Sequence, residues 1–253
     1  MKHLELNPDQ TDSIIFLHGG NVAGWMWGAQ VPAFGDFHLL IPDYPGFGES
    51  NDEDWVSIAD TADQVANLIA EHAHSGRAHI VGLSLGSGVA IELALRHPER
   101  VTSLFLSSTL VTRVGPLTSV MTRLMLTQWN REGFWRTLAR SYGLPEDSVE
   151  LFVSTGLGIK AAAARAIYAE VITPIAPERL ASIGAPALAV AGERDTPAIR
   201  RDSLKVLADS GMRTAIAPGM HHQWNIENVE LFNNAVRDWI TGAQVAAGLS
   251  ARI

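Results

Sequence analysis

The chain has 253 residues, 47% of them apolar, with 19 basic against 27 acidic side chains and a formal charge of −8. That length suits one α/β domain, or one domain with a modest insertion, and buries a large core without covalent staples. The acidic balance argues against a nucleic-acid footprint and against steering to anionic membranes, and the lack of cysteine removes disulfides, thiolate catalysis and cysteine-based zinc sites together.

Met1 to Gln10 is polar and shows no apolar core of a secretory leader, and no apolar run approaches transmembrane length. The expected compartment is the cytoplasm. Ser13-Ile14-Ile15-Phe16-Leu17 reads as a buried strand running into His18-Gly19-Gly20. Phe37 to Ile41 reads as a second strand, followed by Pro42-Asp43-Tyr44-Pro45-Gly46-Phe47-Gly48. Ser57 to His74 has the spacing of an amphipathic helix, with Val65, Ile69 and His72 along one face. Ala78 to Leu83 is a short strand, and Leu85 to His97 carries apolar residues at helical spacing before Pro98 stops it. Between them lies Gly82-Leu83-Ser84-Leu85-Gly86, a G-x-S-x-G sequence at a strand-to-helix turn. A turn that sharp holds the serine at strained dihedrals with its hydroxyl in the open, and the flanking glycines avoid crowding. The helix start aims free N–H groups and a positive dipole end at the same place.

Val101 to Leu106 reads as a strand, and then the alternation breaks. Between about Leu110 and Gly184 no clear strand is legible; Thr118–Trp129, Arg131–Tyr142, Asp147–Leu157 and Lys160–Val171 read as helices. This stretch is rich in large apolar groups, among them Met121, Leu124, Met125, Trp129, Phe134, Trp135, Phe152 and Tyr168. Most are expected to pack the insertion on the core, and some to line a pocket. Alternation resumes with strand Ala187–Ala191, helix Thr196–Ser210, strand Thr214–Ala217 and helix Asn228–Ile240. Gln244 to Ile253 is expected to be a frayed extension. The predicted fold is therefore α/β, a mostly parallel doubly wound sheet flanked by helices, with a helical lid inserted between two strands. Residues 1–109 and 185–253 form the core and 110–184 the lid.

A serine hydroxyl is a weak nucleophile until a base takes its proton, and the base is commonly a histidine held by a buried carboxylate. Both are available in the order and places this topology uses. The strand ending at Ala191 leads into Gly192-Glu193-Arg194-Asp195, and the strand ending at Ala217 leads into Pro218-Gly219-Met220-His221-His222. Asp195 is the expected acid, with Glu193 its local rival; Ser107-Ser108-Thr109 offers no acid after the Val101–Leu106 strand. Ser84, Asp195 and the histidine then share the carboxyl ends of parallel strands. No metal is expected in the chemistry: there is no H-E-x-x-H, and His72-Ala73-His74 does not put two histidines on one helix face. No dinucleotide or phosphate loop is present, so no cofactor is expected.

Taken together, His18-Gly19-Gly20, Asp43 to Ser50, Gly82 to Gly86, Gly192 to Asp195 and Pro218 to His222 resemble the α/β-hydrolase fold superfamily, in particular its small lidded members. The resemblance runs from about Ser13 to Ile240, apart from the lid. It implies His222 as the base, because the family pattern has a small residue where His221 stands. It implies an oxyanion hole from the backbone N–H groups of Leu85 and Gly20, with Asn21 second to Gly20. His18 and Asp43 become structural loop residues. Only about 12 residues precede the His-Gly strand, so the family's first hairpin is expected to be reduced or missing. Asn21, Trp129, Trp135 and His221 are the candidate substrate-binding residues. The implied activity is a serine-dependent hydrolase of a small or medium, fairly apolar carboxylic ester or lactone. Carbon–carbon bond hydrolase, amidase, thioesterase, perhydrolase and a binding protein with an idle triad stay open, while Ser at position 84 disfavours a dehalogenase. The expected partner is a small-molecule substrate, with no nucleic acid or membrane, and the chain a monomer or homodimer.

Overall fold

The computed structural model of the chain describes every residue except 142, 143, 145, 252 and 253. A strand buried on both faces reads as a continuous apolar run. Accordingly β2 (Ser13–Leu17), β3 (His38–Pro42) and β6 (Ala187–Gly192) are buried at every position. With β1 (His3–Leu6), β4 (Ala78–Leu83), β5 (Val101–Ser107), β7 (Arg213–Ala217) and β8 (Ser250–Ala251) they form one sheet in the order β1-β3-β2-β4-β5-β6-β7-β8. The inner pairings are parallel, and β1 and β8 close the two edges antiparallel. The chain steps outward from β2 to β3 and then crosses back to β4, so the strand order reverses between β2 and β4. A crevice opens at the carboxyl ends of strands where such a reversal occurs.

Helix α1 (Ile58–His72) begins where the Ser57 hydroxyl accepts the Asp60 N–H at 3.0 Å. It packs against α2 (Leu85–Arg96). His72, expected on the buried face with Val65 and Ile69, is only half-buried and turns to Glu5 of β1. Among the described residues five helices lie between β5 and β6: α3 (Pro116–Thr127), α4 (Glu132–Ser141), α5 (Glu146–Gly158), α6 (Ala161–Val171) and α7 (Pro177–Ala181). A π-helical turn at Ala198–Ser203 leads into α8 (Leu204–Asp209), and α9 (Trp224–Glu227) and α10 (Val229–Gly242) follow β7. Asn228 caps α10 by accepting the Leu231 N–H at 3.0 Å. Phe232 of α10 packs on Trp27, Phe105 and Trp224, fastening the helix to the sheet through aromatic contacts.

The first hairpin is reduced, as expected, to one strand: β1 pairs with β3 through His3↔Pro42 to Leu6↔Leu39. Its exposed edge position leaves no apolar run to read, because its order comes from backbone pairing. Two other expectations need correcting. The segment after α10 does not fray over its described part, since Ala246 and Leu249 are buried and Ser250 pairs with Ile216; Ile253 lies outside the described residues. Met121 and Leu124, expected to pack or line a pocket, are more than half exposed on α3. Tyr142, the expected end of the helix from Arg131, also lies outside the described residues.

Candidate active site

Ser84 sits between β4 and α2 at φ +56° and ψ −112°, a backbone region that costs an ordinary residue about 1–3 kcal/mol. The surroundings hold it there. Its N–H donates to the Ser107 carbonyl at 2.9 Å, and the Ser87 hydroxyl reaches the Gly82 and Ser107 carbonyls at 2.9 and 3.1 Å. A Cβ at Gly86 would overlap the Leu17 carbonyl, and one at Gly82 the Gly86 carbonyl, so only glycine lets α2 seat this closely on β2 and β4. The Leu85 N–H is the first of α2, where no preceding turn supplies a carbonyl for it.

The loops after β6 and β7 are stitched together. The Glu193 N–H donates to Ala217 at 3.0 Å and the Arg194 N–H to Met220 at 2.8 Å. A Cβ at Gly192 would overlap the Met220 and His221 carbonyls, so the glycine permits this approach. It brings Asp195 under His222, with His222 Nδ1 3.1 Å from Asp195 Oδ2 and 3.2 Å from Oδ1. Burial pushes the Asp195 carboxyl up, but the hydrogen bond and charge attraction from His222, with the hydrogen bond from the Thr196 N–H, outweigh it and hold the group below the ordinary carboxylate value. An ionised Asp195 accepts the proton on Nδ1 and leaves the Nε2 lone pair of His222 available. Ser108, at φ +52° after β5, also donates its hydroxyl to the His222 carbonyl at 3.0 Å.

Ser84 and His222 face one cavity of about 190 Å³, which Gly20, Asn21, Leu85 and Tyr168 also line. Ser84 also lines a second cavity of about 230 Å³, whose wall combines Ile58, Leu85, Leu110, Val171 and Ile175 with the charged Glu92, Glu170 and Arg179. A cleft of about 690 Å³ lies between β1 and α5 and does not include Ser84.

Other expected site residues lie elsewhere. Trp129 and Trp135 line neither cavity at Ser84. Their rings pack 4.7 Å apart inside the insertion, and their N–H groups donate to the Ile159 and Trp129 carbonyls at 2.9 and 2.6 Å. Both rings are buried, and each indole donor is satisfied within the insertion. His221 is exposed, and its backbone N–H and Nδ1 meet Glu227 Oε2 at 3.0 and 3.2 Å, away from the cavity. Glu193 accepts the Gly219 N–H at 2.7 Å. His18 is fully buried, with Nδ1 donating to Gly19 at 2.8 Å and Nε2 accepting the Tyr44 N–H at 3.2 Å, and burial pushes it down to about 4. Asp43 accepts the Gly24 and Glu49 N–H groups at 2.6 and 2.8 Å.

Sequence reasoning named Tyr168 only among the groups expected to pack or to line a pocket, and gave no role to Glu170 or Ser108. Tyr168 Oη sits 3.0 Å from Asn21 Nδ2, and Glu170 accepts the Trp55 indole N–H at 3.2 Å and the Ile58 N–H at 2.9 Å. These contacts pin α6 to the loop after β2 and to the start of α1. No spacing marks them, because each partner lies more than a hundred residues away.

A mostly parallel sheet with Ser84, Asp195 and His222 at its strand ends is the arrangement of the α/β-hydrolase fold. Residues 14–235 match the model described as the alpha/beta hydrolase family, and the chain belongs to that family. It is 30% identical over 260 residues to an AB hydrolase superfamily protein of Gibberella zeae, covering 94% of this chain and 83% of that one. A shorter match, 38% identical over 98 residues, covers 38% of this chain and 37% of a pimeloyl-[acyl-carrier protein] methyl ester esterase of Aeromonas hydrophila. Among solved structures it resembles an enol-lactonase from Burkholderia xenovorans, with a TM-score of 0.78, 21% identity and coverage of 95% and 96% of the two chains. At that identity the likeness is one of fold. Among the described residues no helix is long and apolar enough to cross a membrane.

Proposed function

We propose that the protein is a serine hydrolase that cleaves a small or medium, fairly apolar carboxylic ester or lactone through an acyl-enzyme. The observation that carries this reading is the strained Ser84 sharing a cavity with His222, whose Nδ1 is held by the buried Asp195. His222 Nε2 takes the Ser84 proton as Oγ attacks the carbonyl carbon. The oxyanion that forms is stabilised by the N–H groups of Leu85 and Gly20, which need no reorganisation as charge develops. Collapse breaks the carbon–oxygen bond, and the leaving alkoxide receives the proton from His222. Water repeats the sequence on the acyl-enzyme and returns Ser84.

Ser84 lines two cavities, which suits a substrate divided at the reacting carbonyl. The cavity with Ile58, Leu110, Val171 and Ile175 takes the hydrocarbon part against those side chains, and the cavity with His222 takes the leaving group. The insertion, residues 110–184, acts as a lid through α6, whose Tyr168 and Val171 line the cavities. The esterase named for the Aeromonas hydrophila relative is in keeping with ester chemistry. The test is a panel of nitrophenyl esters and acyl lactones of graded length, with peptide mapping after a fluorophosphonate. Turnover with the label on Ser84 supports the reading. Label elsewhere, or no hydrolysis across the panel, rejects it.

A further inference from the structure

Outside the cavities, the amino-terminal edge of the sheet gathers an unusual set of side chains. His3 and Glu5 are two apart on β1, so they project from the same face of the strand. That face meets the last turn of α1, which ends at His72. One donor atom from each of His3, Glu5 and His72 lies within 4.8 Å of the others. The His3 and His72 rings meet edge-on with centroids 4.7 Å apart, and His72 Nδ1 is 3.2 Å from Glu5 Oε2.

The carboxylate is oriented from behind. The buried His38, on the neighbouring β3, holds Glu5 Oε1 at 2.9 Å through Nε2, and its Nδ1 lies 3.2 Å from the Ser13 hydroxyl. One carboxylate oxygen is thus held by His38 while the other meets His72 Nδ1. Metal sites are built this way, with an outer partner setting the direction of a ligating group.

We propose that His3, Glu5 and His72 form a binding site for a divalent transition metal of the zinc class, outside the hydrolytic centre. Two imidazoles and one carboxylate are a donor set that zinc accepts, with water completing a tetrahedron. Ligands at about 2.0–2.1 Å from a tetrahedral ion stand about 3.3 Å apart, so the donor atoms close by about 1.5 Å at most. Rotation of the half-buried His3 and His72 rings supplies that. The metal replaces the direct contact between His72 Nδ1 and Glu5 Oε2. It also ties the edge strand to α1. His3 and His72 are 69 residues apart in the sequence, which is why no ligand spacing is legible there.

The test uses tag-free, chelator-treated full-length protein titrated with zinc chloride by calorimetry, beside thermal melts with and without zinc. Wild type should take up one equivalent per chain and melt higher with zinc. The His3→Ala/His72→Ala variant should bind at least about tenfold more weakly and lose the melting shift, while His97→Ala, which removes another imidazole paired with a carboxylate, keeps both. The Glu5→Gln variant, which keeps the shape of the site, should bind more weakly than wild type. Equal zinc affinity in wild type and the double variant, or no saturable uptake by wild type, overturns the proposal. Hydrolysis is a separate readout, so failure here leaves the reading of Ser84 untouched.

Discussion

Tyr168 of α6 and Asn21 of the loop after β2 form a hydrogen bond across the candidate site, with Tyr168 Oη 3.0 Å from Asn21 Nδ2. Asn21 holds φ +70° and follows Gly20, the proposed oxyanion donor, so the insertion reaches the loop that sets where that donor points. Tyr168→Phe removes the hydroxyl that accepts from Asn21 Nδ2 and donates to Asn21 Oδ1, a loss of about 1 kcal/mol, and should lower kcat/KM about fivefold with little loss of melting temperature. Unchanged kinetics would show that Asn21 is held without Tyr168.

Ser84→Ala should abolish turnover, and Ser84→Gly should do the same while raising stability by about 1 kcal/mol. Glycine accepts φ +56° without the strain a side chain imposes, and Ala retains that strain. Urea midpoints of the two variants check this. Equal midpoints would mean that the elbow stores no strain.

Asp195→Asn presents a donor to Nδ1 where an acceptor is needed, and should cost about 10⁴ in rate. The Asp195 carboxyl is held below its ordinary value, so it stays ionised as the medium is acidified, and the fall in rate on the acid side belongs to protonation of the imidazole. His222→Ala should lose several orders of magnitude and flatten that fall. His221→Ala, which only frees an exposed contact to Glu227, should lose about tenfold or less and keep it. The opposite pattern in the two pH–rate profiles would move the base to His221.

His18 is pushed by burial from 6.5 down to about 4, so the folded chain binds fewer protons than the unfolded chain between these values. Stability from this group is complete above about pH 6.5 and is lost progressively as pH falls toward 4. Urea midpoints from pH 7 to pH 4, with the His18 ring followed by NMR, check the window. A ring that titrates near 6.5 in the folded protein refutes it.

Trp135 is fully buried and packs on Trp129, Phe134 and Phe152. Trp135→Ala should therefore destabilise the protein by about 3–5 kcal/mol. It should leave the order of preference among ester lengths unchanged. A shift in preference with little loss of stability would return the ring to the pocket.

The sequence by itself determined the alternation of strands and helices, the interruption after β5, and the strand-end loops that carry Ser84, Asp195 and His222. These are local matters. Continuous apolar runs, helical spacing and Gly-rich turns are written in neighbouring residues, and backbone sterics reads them without reference to the rest of the chain. Partners are another matter. The pairing of β1 and β8 at the sheet edges rests on backbone hydrogen bonds, which leave no side-chain pattern. An apolar spacing states that Trp129 and Trp135 are buried but not against what, and only the packed insertion turned both rings away from Ser84. The 3.1 Å approach of His222 to Asp195, the contact of Tyr168 with Asn21 and the meeting of His3 and Glu5 with His72 were likewise decided by tertiary structure. Each joins segments distant in the sequence, and their separation in space follows from sheet order and helix packing rather than from any spacing along the chain.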